Sequence, residues 1–178
     1  MKNKQILVLA VLCISILFFT FSCKPDPTNE EEVITTLKLS FIDGSSTRVF
    51  SFRDIDGIGG GADGIADTIV LDSNKSFVMN TSVLNESVTP AEDITAEIQN
   101  ESKDHQFFYN ISSGLNLTHI YTDTDDNSRP IGLANTISTG SRSTGTIRVN
   151  LKHQPGIKDG NQNTGASDID VSFVVIIK

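Results

Sequence analysis

Strict alternation of apolar and polar residues near the C-terminal end constrains the fold more than any other feature of this sequence. In residues 145–153, Ile147, Val149 and Leu151 alternate with polar and charged neighbours, and residues 168–178 continue the same pattern. Successive side chains of a β-strand point to opposite faces, so a period of two indicates a strand with one buried face. The sequence therefore predicts a sheet that packs one face on a core.

The same period recurs along the chain, with turn residues such as those at 43–46 between the alternating stretches. It predicts strands at residues 33–42, 47–54, 68–71, 77–86, 106–112, 115–122, 132–139, 145–153 and 168–178. Many short strands separated by turns are typical of two packed sheets. We therefore expect an all-β fold, an antiparallel immunoglobulin-like β-sandwich of about eight or nine strands with one short helix.

One segment carries the signals of that helix. Thr89 and Glu92 have the spacing of a capping box, and Pro90 stands at the first helical position. Ile94 and Ile98 follow at a separation of four residues, which places them on one helix face. These signals predict a helix from Pro90 to about residue 100.

The N-terminal region has the parts of a secretory signal. Lys2 and Lys4 precede an apolar stretch at residues 6–21, and Ser22 is a small residue before Cys23. The stretch is shorter than the roughly 20 residues of a membrane-spanning helix. Residues 20–23 resemble a bacterial lipobox, which implies a signal peptide at residues 1–22 and acylation of Cys23. The alternatives are a permanent N-terminal helix and an unmodified Cys at an ordinary cleavage site.

Composition then limits the classes of partner. We expect a flexible tether at residues 23–32, rich in proline and glutamate, and a β-sandwich domain at residues 33–178. The net charge of −8 argues against nucleic-acid binding, because such proteins need a basic surface. It also argues that membrane contact comes from the lipid alone. Cys13 leaves with the leader, so the domain has no disulfide.

A glycine-rich loop at residues 54–67 is the first candidate site. Its four carboxylates are candidate calcium ligands, since calcium takes about six to eight oxygens: Asp54, Asp56, Asp63 and Asp67. The spacing does not fit an EF-hand, and the alternative is a solvated hairpin loop. Residues 57–62 also match G-x-G-x-x-A, but no helix pattern follows, so no nucleotide is predicted.

A second acidic cluster lies between two predicted strands. The cluster begins like an EF-hand calcium loop, with Asp123, Asp125 and Asn127 at alternate positions. However, Ser128 stands where such a loop has its glycine, and Ala134 stands where it has its bidentate glutamate. We interpret the cluster first as a turn and second as a calcium site. His105, His119 and His153 have no metal-ligand or catalytic spacing, so no catalytic residue is predicted.

Several segments resemble a family of Bacteroidota lipoproteins without an assigned activity. They are residues 30–37, 52–57, 90–95, 104–108, 132–134 and 151–155. Members are often labelled type 1 periplasmic binding fold proteins, which would imply two doubly wound α/β lobes. The residue pattern predicts a single sandwich instead. The resemblance supplies no activity and no site residues.

Together these features predict a lipid-anchored protein of the outer membrane that faces the periplasm or the cell surface. We expect a binding module without catalysis, for a glycan or an envelope protein, with calcium as a candidate cofactor. The alternative is a structural or accessory lipoprotein of an outer-membrane complex. An unrecognised hydrolase is a third hypothesis. Function would lie in the long loops at residues 54–67, 123–131 and 155–167.

Overall fold

The computed structural model describes residues 32–54 and 64–178. The predicted signal peptide, Cys23 and the tether up to residue 31 lie outside the described residues, as do Asp56 and Asp63. The described part of the chain contains one helix and ten strands. In chain order they are β1 (Thr36–Asp43), β2 (Ser46–Arg53), β3 (Ile65–Ala66), β4 (Ile69–Leu71), β5 (Ser76–Leu84), α1 (Ile94–Asn100), β6 (His105–Ile111), β7 (Leu117–Tyr121), β8 (Ala134–Thr139), β9 (Ser143–His153) and β10 (Ala166–Ile177).

The strands form two sheets that enclose a common core. One sheet has six strands in the order β3-β2-β1-β5-β8-β7, and the other has four in the order β4-β10-β9-β6. The predicted all-β sandwich with one short helix is confirmed. It is immunoglobulin-like in the broad sense of two packed, mainly antiparallel sheets. The short β3 was not predicted, and β4 pairs with β10 in parallel, so the sheets are not wholly antiparallel.

The core is built from the inward faces that the alternation predicted. In β10 every second residue from Ile169 to Ile177 is buried, and the residues between them from Asp170 to Ile176 are more exposed. Phe41, Phe77, Phe107 and other large side chains fill the space between the sheets. Burying each such side chain contributes about 1.5–3 kcal/mol, which stabilises the domain without a disulfide.

The helix begins later than the capping box predicted. The carboxylate of Asp93 accepts a hydrogen bond from the Thr95 backbone N–H, so Asp93 is the N-cap and α1 starts at Ile94. Glu92 is not part of the helix, because its backbone exchanges two hydrogen bonds with Asn85 in an isolated bridge. Ile94 and Ile98 are buried, as their spacing predicted.

A β-bulge shapes the start of β10. Ser167 lies opposite Lys152 and Ile169 lies opposite Leu151, so Asp168 is an extra residue in the ladder. Bulges of this kind redirect side chains and often border functional sites. Here the bulge places Ser167 on the outer face of the four-stranded sheet, beside Lys152.

Candidate functional site

The first acidic loop is only partly described. The backbone N–H of Asp54 donates to the carbonyl of Thr35, and Asp54 is buried. The carboxylate of Asp67 accepts from the backbone N–H and the hydroxyl of Ser51, at 2.8 and 3.0 Å. It therefore joins β2 to the segment after β3. A calcium site built by these residues with Asp56 and Asp63 stays a prediction.

In the second acidic cluster, Asp123 organises the backbone of its own loop. One carboxylate oxygen accepts from the N–H of Gly132 at 2.9 Å. The other accepts from Leu133 and Ala134, at 2.7 and 2.9 Å. Three backbone donors thus occupy Asp123 and close the loop between β7 and β8, which agrees with the turn interpretation.

Asp125 has a buried cationic partner. Its Oδ2 lies 3.0 Å from Nζ of Lys158, and its Oδ1 accepts from the backbone N–H groups of Asn127 and Arg129. Burial alone would raise the pKa of Asp125, but these N–H groups and the ammonium hold it below its usual value. A calcium ion would compete with Lys158 for the same oxygen, so these contacts do not favour calcium here.

Lys158 joins three segments of the chain. Besides its pair with Asp125, its ammonium donates to the carbonyl of Ser102 at 2.8 Å, and its own carbonyl accepts from the guanidinium of Arg129. Burial is the main cause that lowers the pKa of Lys158. The 123–131 loop, the segment after α1 and the 154–165 loop are therefore held together.

The 154–165 loop is also fixed from within. Nε2 of Gln154 donates to the carbonyls of Asn161 and Thr164, both at 2.9 Å. The carboxylate of Asp159 accepts from the backbone N–H of Asn161 and the hydroxyl of Thr164. The loop presents Gln162 and Asn163 to a pocket on the neighbouring sheet.

That pocket lies on the outer face of the four-stranded sheet and has a volume of about 280 Å³. β6, β9 and β10 supply its floor, and the 154–165 loop supplies one wall. Every side chain that lines it is polar: Asn110, Arg148, Asn150, Lys152, Gln162, Asn163, Ser167 and Asp170. Such a lining offers many hydrogen-bond donors and acceptors within one concave surface.

Internal contacts hold the pocket side chains in place. The guanidinium of Arg148 contacts both carboxylate oxygens of Asp170, with Nε to Oδ1 at 2.6 Å. Nδ2 of Asn150 donates to the Ile169 carbonyl at 3.1 Å and to the Ser167 hydroxyl at 3.2 Å. Nζ of Lys152 donates to the same hydroxyl at 2.9 Å. A preorganised polar surface of this kind can bind a hydroxyl-rich ligand without large rearrangement.

Two histidines meet at the end of the four-stranded sheet, which their sequence spacing did not predict. His105 and His153 are opposite each other in β6 and β9, and their rings stack with centroids 4.4 Å apart and an interplanar angle of 6°. Burial, and then the charge of His153, lowers the pKa of His105 to about 4. The sequence indicated only that His153 continues the inward face of its strand, and it placed His105 just before the predicted strand at residues 106–112.

Glu101 and this histidine pair form the one group of three candidate metal ligands in the part of the chain that the structure describes. Their ligand atoms lie within 4.8 Å of one another. Imidazole lone pairs lie in the ring plane, so two parallel rings do not direct them at a single ion. Nε2 of His105 lies 3.8 Å from Oδ2 of Asp168. Neither residue lines the pocket, so His105 and Asp168 do not give the pocket a histidine–acid couple.

The hydroxyl groups of Tyr109 and Tyr121 make hydrogen bonds within the protein. The hydroxyl of Tyr109 lies 2.5 Å from the Thr81 hydroxyl and donates to the Gly132 carbonyl at 2.6 Å. The hydroxyl of Tyr121 donates to the carbonyl of Phe107, and burial raises the pKa of Tyr121 to about 12. Nε2 of His119 lies 2.8 Å from the side-chain oxygen of Asn135. The contacts of the two tyrosines connect β6 to the six-stranded sheet, and the His119 contact joins β7 to β8 within that sheet.

Among residues 32–54 and 64–178, no helix is both long and apolar enough to cross a membrane. No protein-family model, curated protein or solved structure matches this chain significantly.

Proposed function

We propose that this chain is a non-catalytic binding module of the cell envelope, anchored by a lipid on Cys23, that takes a saccharide in the pocket described above. The observation that supports this function most strongly is the wholly polar lining of a preformed cavity of about 280 Å³. Sugar hydroxyls are at once donors and acceptors, so they match a surface of amides, a hydroxyl and paired ions.

The proposal is tested by probing a glycan array with the full chain, purified in a mild detergent. Asn110 is exposed at the pocket, so Asn110→Trp fills the pocket without disturbing the core. Asn80 is equally exposed on the outer face of the other sheet, and Asn80→Trp is the matched control. We expect wild type and Asn80→Trp to bind the same glycans, and Asn110→Trp to bind them at least tenfold more weakly. Unchanged binding by Asn110→Trp, or no binding by wild type, contradicts the proposal.

A second candidate function, docking to a larger envelope complex, is favoured by a mainly apolar row of residues on the six-stranded sheet. Ile42, Val78, Thr136 and Ile120 are neighbours in register, and Val78 and Ile120 are 50% and 63% exposed. A photo-crosslinker at position 120 in intact cells should give one adduct of discrete mass. The same group at Ser172, on the other sheet, should give none. Absence of an adduct at position 120 excludes this second function.

A further inference from the structure

The charges in the pocket do not cancel. Arg148 is matched by Asp170, with which it makes a two-pronged contact. Lys152 is the second cation of the lining, and within the described residues the one partner of its ammonium is the neutral hydroxyl of Ser167. The pocket therefore carries one net positive charge in a chain whose net charge is −8.

The Lys152 side chain is held at the pocket with unused donors. An ammonium has three N–H donors, and Ser167 takes one of them. Lys152 is only 9% exposed but lines the pocket, so a ligand held there can reach its remaining donors. Burying a charge is costly unless an acceptor or a counter-charge faces it. The arrangement therefore favours an anionic acceptor that reaches Lys152 from the pocket.

Ser167 adds a second donor at the same point. Its oxygen already accepts from Nζ of Lys152 and from Nδ2 of Asn150. Its own proton must then point away from both of those donors. An ammonium and a hydroxyl that are fixed side by side make a compact site for a carboxylate or sulfate oxygen, with hydrogen bonds to charge that are stronger than neutral ones.

Resting on the proposed saccharide site, we infer that the ligand is an acidic saccharide whose anionic group pairs with Nζ of Lys152. The amides of Asn110, Gln162 and Asn163 line the rest of the pocket and face the sugar hydroxyls. Asp170 does not repel the ligand, because its charge is matched by Arg148. A carboxylate and a sulfate share this chemistry, and the two are separated by experiment.

The test uses matched glycan pairs with the full wild-type chain. Polygalacturonate, alginate and hyaluronan are compared with their carboxyl-reduced forms, and heparan sulfate with its desulfated form. We expect at least tenfold tighter binding of the more highly charged member of one pair, and weaker binding as salt rises. A preference for a carboxylate pair or for the sulfate pair identifies the anion.

Variants then assign the preference to Lys152. Lys152→Met should abolish it, while Lys38→Met on the outer face of the other sheet should leave it intact. If the two members of every pair bind equally well to wild type, the inference fails and the saccharide site stands. If no glycan binds, the proposed saccharide site is wrong and the inference fails with it. The same conclusion follows if free sulfate or phosphate binds the site as tightly as the glycans do. The glycan pairs need only wild type, so a variant that fails to fold does not weaken the test.

Discussion

Lys158 and Asp125 form an ion pair that solvent does not reach, with Nζ and Oδ2 3.0 Å apart and side chains 1% and 0% exposed. The pair joins the loop after β7 to the loop after β9, which forms one wall of the pocket. Breaking such a pair leaves an uncompensated buried charge, whereas exposed pairs contribute little.

Asp125→Asn should therefore destabilise the protein by about 3 kcal/mol and lower the melting temperature by roughly 10 °C. Asp126→Asn is the control, because Asp126 is 85% exposed in its pair with Lys103 and should change stability by less than about 0.5 kcal/mol. Thermal melts with calcium and with chelator should show the same loss for Asp125→Asn. A loss confined to calcium-containing buffer would instead identify Asp125 as a calcium ligand.

His105 should make the protein less stable in acid. Its pKa is about 4 in the folded state and near 6.5 when unfolded, so between these values the unfolded chain binds more protons. The free energy of unfolding should therefore decrease as the pH falls from about 6.5 to about 4, by up to roughly 3 kcal/mol from this residue. Chemical denaturation of wild type and His105→Gln across this pH range measures how the free energy of unfolding depends on pH. Parallel profiles for the two proteins would contradict the assignment.

Gly165 is required by the close packing at the end of the pocket loop. It has a φ of +77°, and a Cβ there would lie 2.1 Å from the carbonyl oxygen of His153. Gly165→Ala should cost more than about 2 kcal/mol, since the clash adds to the strain of a positive φ. Gly160 has a φ of +81° with open space around it, so Gly160→Ala should cost only about 1 kcal/mol. Equal melting temperatures for the two variants would refute this packing argument.

Tyr109→Phe should weaken the connection between the sheets. The change removes one hydroxyl that contacts both Thr81 and Gly132 and leaves buried groups without that partner. We expect a loss of about 1–3 kcal/mol in urea denaturation. Thr118→Val, at an exposed position of β7, should change stability by less than about 0.5 kcal/mol. A Tyr109→Phe protein as stable as wild type would show that the hydroxyl does not support the sandwich.

The sandwich was predictable because the alternation of apolar and polar residues that indicates each strand lies within a short stretch of sequence. In β9 and β10 the alternation around Val149 and Val171 reports directly which face is buried, and the structure follows it. The parallel pairing of β4 with β10 was not predictable, because it depends on which distant strands meet. The helix start was misplaced because Glu92, which fits a capping box, pairs with Asn85 instead.

The pocket was visible in the sequence only as an outward face. Arg148, Asn150 and Lys152 alternate with core residues, which predicts exposure but not a cavity. The cavity depends on the Asp168 bulge and on the Gln154 contacts that fold the distant loop beside the sheet. Conversely, Asp125 looked like a cation ligand, because Lys158, 33 residues away, could not be identified as its partner.

The central claim is that the pocket on the four-stranded sheet holds a saccharide, and amide NMR of the full chain in detergent tests it most directly. Oligosaccharides of polygalacturonate, alginate, hyaluronan and heparan sulfate are titrated in turn. At least one should shift the amides of residues 148–152 and 162–170 while leaving residues 76–80 unchanged. Shifts confined to residues 76–80 and 117–121, or no shift with any of the four or with its carboxyl-reduced or desulfated partner, would contradict the account.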